Sequence, residues 1–117
     1  MVIRRPSVFI YTYRPDAESL REICAGIEEE GVFFEVFERE EKKCAELAWE
    51  AARDSMLGSG IGINGGFAAL SIRGLKEGEC ADILNEPDKR ALRRLGGNSA
   101  RIVKKQAFKV PSGPEEG

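Results

Sequence analysis

Apolar and polar positions follow two alternating periods along this chain, and each change of period marks an element. Ser7 to Tyr13 (SVFIYTY) is rich in β-branched and aromatic residues and predicts a buried strand. Beyond Pro15, the residues Leu20, Ile23, Cys24 and Ile27 recur at i, i+3, i+4 and i+7, one buried stripe of a helix. Asp16 is placed to cap that helix and Glu18 falls in its first turn. The helix is expected over 17–30, closing on Glu28, Glu29, Glu30 and Gly31. Val32 to Glu38 predicts a second strand, and Glu40 to Ser55 a second helix with Cys44, Leu47, Ala48 and Ala51 on one face. So many alanines imply a close approach to a sheet. Trp49, just outside that stripe, reads either as a core-edge residue or as an interface anchor. Gly60 to Asn64 is a short strand, Asn64-Gly65-Gly66 a turn, and Phe67 to Ile72 its antiparallel return. Ala81 to Leu84 predicts another short strand. A short helix is expected from Pro87-Asp88 to Leu95, broken by Gly96-Gly97, with Asn98 capping a last helix from Ser99 to Lys105.

Right-handed crossovers favour parallel pairing of the first three strands, with helices on the sheet's faces. The predicted fold class is α/β: a three-layer α/β/α sandwich with a small mixed, mostly parallel sheet. Residues 1–110 are expected to form a single domain and 111–117 a flexible tail.

Composition narrows the chemistry. The 117 residues include no histidine, which excludes a Ser-His-Asp triad, a Cys-His dyad and any imidazole metal site. A net charge of −2 disfavours a generic nucleic-acid binder. Cys24, Cys44 and Cys80 show no C-x-x-C spacing and predict reduced thiols of a cytoplasmic protein. No apolar run is long enough for a membrane span, and the first residues carry no secretory h-region.

Charge is distributed unevenly. Residues 28–46 hold eight acids and three bases, whereas 89–109 hold eight bases and no acid. Glu28, Glu29 and Glu30 occupy a helix C-terminus, where the macrodipole disfavours them. They read as a solvated helix end or as the source of one ligand to a hard cation. The basic segment, with Arg93, Arg94, Arg101 and Lys104, reads as a solvated face, a dock for an acidic protein surface, or a phosphate site at the Gly96–Asn98 turn. No P-loop and no G-x-G-x-x-G is present, and no acid–base constellation is recognisable.

Three stretches in order carry a resemblance: GIEEEG (Gly26–Gly31) followed by Val-Phe-Phe, AWEAARDSMLGSGIGI (Ala48–Ile63), and GGNSARIVKKQAF (Gly96–Phe108). They resemble the small (β) subunit of the diol and glycerol dehydratase reactivating factors. Val32-Phe33-Phe34 replaces the Ile-Pro-Phe of that family, Met56 a frequent proline, and Asn64-Gly65-Gly66 an Ala-Cys-Asp-like stretch. The resemblance implies an anticodon-binding-domain-like α/β/α sandwich and a non-catalytic, chaperone-like subunit. Such a subunit pairs with a large ATPase subunit and exchanges with a subunit of the adenosylcobalamin-dependent dehydratase, so that damaged cobalamin is released. It implies no cofactor in the isolated chain, but a Mg²⁺ or Ca²⁺ ion at the interface with the large subunit. Glu29 matches the family glutamate that completes this site. Glu28, Glu30, Trp49, Arg93, Arg94, Arg101 and Lys104 are the interface candidates. The resemblance also implies a cytoplasmic location, leaving open association with a bacterial microcompartment and a homo-oligomer of the isolated chain. Two alternatives stand beside it: a medium-subunit-like component of a cobalamin-dependent dehydratase, and a stand-alone anion- or RNA-binding module.

Overall fold

Strand β1 (Val8–Tyr13) runs through the middle of the molecule and buries both of its faces. Val8 and Ile10 point to one side and Tyr11 to the other, all at most 2 % exposed. In the computed structural model, which describes residues 6–108, β1 is followed by α1 (Ala17–Glu29), β2 (Phe34–Glu38), α2 (Cys44–Asp54), β3 (Ser59–Asn64), β4 (Phe67–Ile72), β5 (Asp82–Asn85) and α3 (Lys89–Phe108). The five strands form one sheet in the order β2-β1-β3-β4-β5. β1 pairs in parallel with β2 and β3, and β4 is antiparallel to both β3 and β5. The expected mixed α/β/α sandwich is present, with its parallel share reduced to two of four pairings by β5.

The two faces of β3 explain the layers. Ile61 and Ile63 join Val8, Ile10 and Leu70 in the larger core, under Ile23 and Ile27 of α1 and Leu92 and Leu95 of α3. The glycines between them face α2, where a Cβ on Gly60 would lie 2.1 Å from the Ala52 nitrogen and one on Gly62 2.2 Å from the Cys44 oxygen. The alanines of α2 and the glycines of β3 are therefore two sides of one close contact, as the sequence predicts. Helix α2 begins at Cys44 rather than Glu40, because residues 40–43 are all exposed and have no apolar surface to dock.

One expectation fails. Gly96-Gly97 does not break a helix and Asn98 does not cap one; α3 is continuous for 20 residues. A Cβ on Gly96 would stand 2.1 Å from the Ile23 oxygen, and one on Gly26 2.2 Å from the Arg93 oxygen. The glycines let the α1 and α3 backbones touch. Their poor helix propensity, about 1 kcal/mol each, is offset by that packing. The expected 111–117 tail lies outside the described residues.

Gly96→Ala should destabilise the fold by about 1–3 kcal/mol, the range for overpacking. Gly97→Ala, whose Cβ meets only the far end of the Arg101 side chain at 3.2 Å and Gly26 oxygen at 3.8 Å, should stay within about 1 kcal/mol of wild type. Thermal unfolding of the two variants checks the difference; equal losses would contradict the crossing geometry.

Candidate functional site

The close crossing of α1 and α3 brings the acidic and basic segments together. α1 ends in a Schellman motif: Gly31 (φ +74°) donates to Glu28 O at 2.9 Å and Val32 to Ile27 O at 3.5 Å. This fixes the direction in which Glu29 and Glu30 leave the helix. Arg93 donates to Glu22 Oε1 (Nη2, 2.7 Å) and to Glu29 Oε2 (Nη1, 2.6 Å). Arg101 Nε and Lys104 Nζ both reach Glu30 at 3.1 Å. Lys89 pairs with Glu18 at 3.1 Å.

The two segments therefore meet at one edge: Glu29 and Glu30 of the acidic segment pair with α3, and Glu18 and Glu22 of α1 extend the seam. Lys104, then Arg101, hold the Glu30 carboxyl below the usual carboxylate range. The unfavourable position of these acids against the α1 macrodipole is compensated by cations from another helix. Glu29 is the open end of the seam, with its side chain 59 % exposed against 15 % for Glu22. Glu28 is exposed and makes no ion pair among the described residues. Arg94 is exposed and unpaired in the same sense, as is Arg90, which the sequence reading did not single out.

The phosphate site suggested for the Gly96–Asn98 turn is overturned, because those residues lie within α3 and form no helix N-terminus. The crevice between the C-terminal ends of β1 and β3, where open α/β sheets commonly bind ligands, is closed by backbone. Gly65 donates to Tyr13 O at 3.2 Å and accepts from the Asp16 N–H at 2.9 Å. Trp49 lies at the edge of α2, its Nε1 donating to Leu75 O at 3.1 Å and its ring 5.3 Å from the Arg53 guanidinium.

A second polar cluster escaped sequence reasoning. The Tyr11 hydroxyl donates to Asp54 Oδ2 at 2.5 Å, and the Arg39 guanidinium covers the Tyr11 ring at 4.0 Å. Burial raises the Tyr11 pKa and Arg53 lowers that of Asp54, so the phenol is a poor acid and the carboxylate a poor base. The pair ties the end of α2 to β1. Nothing in the local sequence signals it, since its members are 43 residues apart.

The thiols are equally unsuited to nucleophilic work: burial pushes Cys24 up to about 11 and raises Cys44 and Cys80. Among the described residues, no three or more Asp, Glu or Cys side chains are grouped to hold a metal, and no helix is long and apolar enough to cross a membrane.

With this geometry in place, comparison with known proteins is decisive. The model of the dehydratase medium subunit family matches residues 5–109. The chain belongs to that family. It is similar to the diol dehydratase-reactivating factor small subunit of Klebsiella michiganensis, 32 % identical over 76 % of this chain and 72 % of that protein. It is 30 % identical to the propanediol dehydratase-reactivating factor small subunit of Salmonella typhimurium, over 89 % of this chain and 90 % of that one. Among solved structures, a chain of a diol dehydratase-reactivating factor complexed with ADP and Mg²⁺ superposes with a TM-score of 0.80 at 30 % identity, covering 87 % of this chain and 95 % of that chain. A glycerol dehydratase reactivase chain gives 0.81 at 30 % identity, over 86 % and 94 %. The resemblance to reactivating-factor small subunits therefore holds in both sequence and fold. Its motifs also acquire physical roles in this family member. GIEEEG and GGNSARIVKK are the two sides of the α1–α3 seam, and the alanine–glycine stretch is the α2–β3 contact.

Two outcomes follow. Glu30→Gln should lower the melting temperature modestly near neutral pH. The Glu30 pKa is depressed in the fold, so its contribution is present above its unfolded value and lost as pH falls through the folded one. The gap from wild type should therefore close below about pH 4. Cys24 should react with iodoacetamide at pH 7.5 far more slowly in the native protein than in the denatured one; equal rates would refute the raised thiol pKa.

Proposed function

We propose that this chain is the small, non-catalytic subunit of a reactivating factor for an adenosylcobalamin-dependent diol or glycerol dehydratase. It docks on a large ATPase-like subunit and exchanges there with a dehydratase subunit, so that damaged cobalamin is released. The observation that carries the reading is Glu29. It is an exposed carboxylate held by the seam at its open end, on a chain otherwise similar over nearly its full length to reactivating-factor small subunits. A single carboxylate fits a hard cation only as a contributor, because Mg²⁺ and Ca²⁺ take six or more oxygens. The remaining ligands would belong to the large subunit, where the ion would reinforce the interface.

The seam gives Glu29 a second state to leave. In the free subunit it is neutralised by Arg93, and Arg93 keeps Glu22 when Glu29 turns outward. The medium-subunit alternative shares this fold, and only binding partners separate the two readings. The anion- or RNA-binding alternative loses support from the pairing of Arg93, Arg101 and Lys104 with acids of the same chain. The reading places the subunit in the cytoplasm and is compatible with association with a bacterial microcompartment.

Glu29→Gln should weaken binding to the large subunit by about 1–3 kcal/mol in Mg²⁺. Glu28→Gln should have a smaller effect. In EDTA the Glu29→Gln effect should disappear. Titration of the variants against the purified large subunit checks this, and an undiminished Glu29 effect in EDTA would reduce the run to an acidic patch.

A further inference from the structure

Beside Glu29, the crossing of α1 and α3 leaves an open groove of about 570 Å³ lined by Glu22, Glu29, Lys89, Arg90, Arg93, Arg94, Gly97 and Arg101. Its charges are not equivalent. Glu22 and Glu29 are both bound to Arg93, Lys89 is held by Glu18 and Arg101 by Glu30. Arg90 and Arg94 are exposed and have no ion-pair partner among the described residues. They stand one helical turn apart on α3, so their side chains share a face. Gly97, about one turn further on, is buried and lines the groove without a side chain, and Arg101 Nη2 lies 3.2 Å from where its Cβ would be. Two free guanidiniums line the groove, and a third, on Arg101, lies over Gly97. Guanidinium groups recognise carboxylates through paired, directed N–H donors.

We infer that this groove is a docking seat for an acidic segment of the large subunit, whose carboxylates are clasped by Arg90 and Arg94. The inference rests on the proposed subunit role and deepens it. Two observations select the large subunit as occupant. Glu29 lines the same groove, so a partner that meets Glu29 also covers Arg90 and Arg94. A partner surface that offers a hard cation to Glu29 must itself be rich in oxygen ligands, which is the chemistry that unpaired guanidiniums complement. Arg93, Arg101 and Lys104 build the seat through their bonds to α1, and Arg90 and Arg94 make the contact.

The test is the affinity of the full chain for the purified large subunit, in EDTA so that the Glu29 contribution is set aside. Arg90→Glu/Arg94→Glu should fold as wild type, since neither side chain makes a bond within the described residues. It should bind at least about tenfold more weakly at low salt, with the loss shrinking in roughly 0.5 M salt. Lys43→Glu/Lys76→Glu makes the same change in net charge at exposed, unpaired positions away from the groove and should bind nearly as wild type. Equal losses for the two double variants would show bulk charge alone and overturn the seat, as would no loss for the groove variant. A loss seen only against the dehydratase would overturn the assignment of the occupant. Wild type failing to bind the large subunit at all, even with Mg²⁺, would instead sink the subunit role on which the seat rests.

Discussion

The backbone-to-backbone crossing of α1 and α3 is the constraint from which the candidate site follows. Gly26 and Gly96 let two helices approach until a single added carbon would lie near 2 Å from a carbonyl oxygen. At that separation, side chains flanking the crossing must meet. Glu22, Glu29 and Glu30 on one side and Arg93, Arg101 and Lys104 on the other are placed to do so. Exposed ion pairs are individually worth little, typically 0–1 kcal/mol. Here they act less as a source of stability than as a means of orienting long side chains at a surface. The fold supplies the proximity through glycine, and the charges use it.

The opposite face of the sheet is built by a related device. Gly60 and Gly62 of β3 lie directly under the alanine stripe of α2, and Tyr11 reaches across to Asp54 to hold the end of that helix. Phe9, Tyr11 and Phe37 form an edge-packed aromatic cluster beside it. This polar and aromatic machinery serves packing. The crevice between β1 and β3 is sealed by the hairpin backbone, the phenol and thiols have raised pKa values, and histidine is absent. A chain arranged in this way is suited to presenting surfaces, which agrees with its similarity to reactivating-factor small subunits.

Internal pairing also changes how the charge of the molecule should be understood. Along the sequence, acids and bases are segregated into blocks that would steer distant partners. In the fold the two blocks meet only at their edges, where Glu29 and Glu30 take up Arg93, Arg101 and Lys104, so part of the segregated charge is spent within the chain. What remains beside the seam, among the described residues, is local: an exposed, unpaired carboxylate at Glu28 and two unpaired guanidiniums at Arg90 and Arg94. Such residual groups act within roughly a Debye length, about 8–10 Å in physiological salt, and favour contact recognition over steering.

Sequence periodicity by itself determined the strands, the first two helices and the α/β class, because those depend on which residues must be buried together. The Asp16 cap, the Gly65 turn and the Gly60–Gly62 contact with α2 were legible for the same reason: each is local or belongs to one repeating stripe. The three motifs were legible as a family resemblance, though not their physical roles. Gly96-Gly97 was misread, since a glycine pair that ends a helix and one that admits a neighbouring helix look identical along a single chain. Only the tertiary structure distinguished them, through Ile23, more than 70 residues away. Separations of 64 and 43 residues likewise concealed the pairing of Arg93 with Glu29 and of Tyr11 with Asp54. Charge complementarity between remote positions has no period and no local signature, so it becomes visible only once the core has fixed which surfaces face each other.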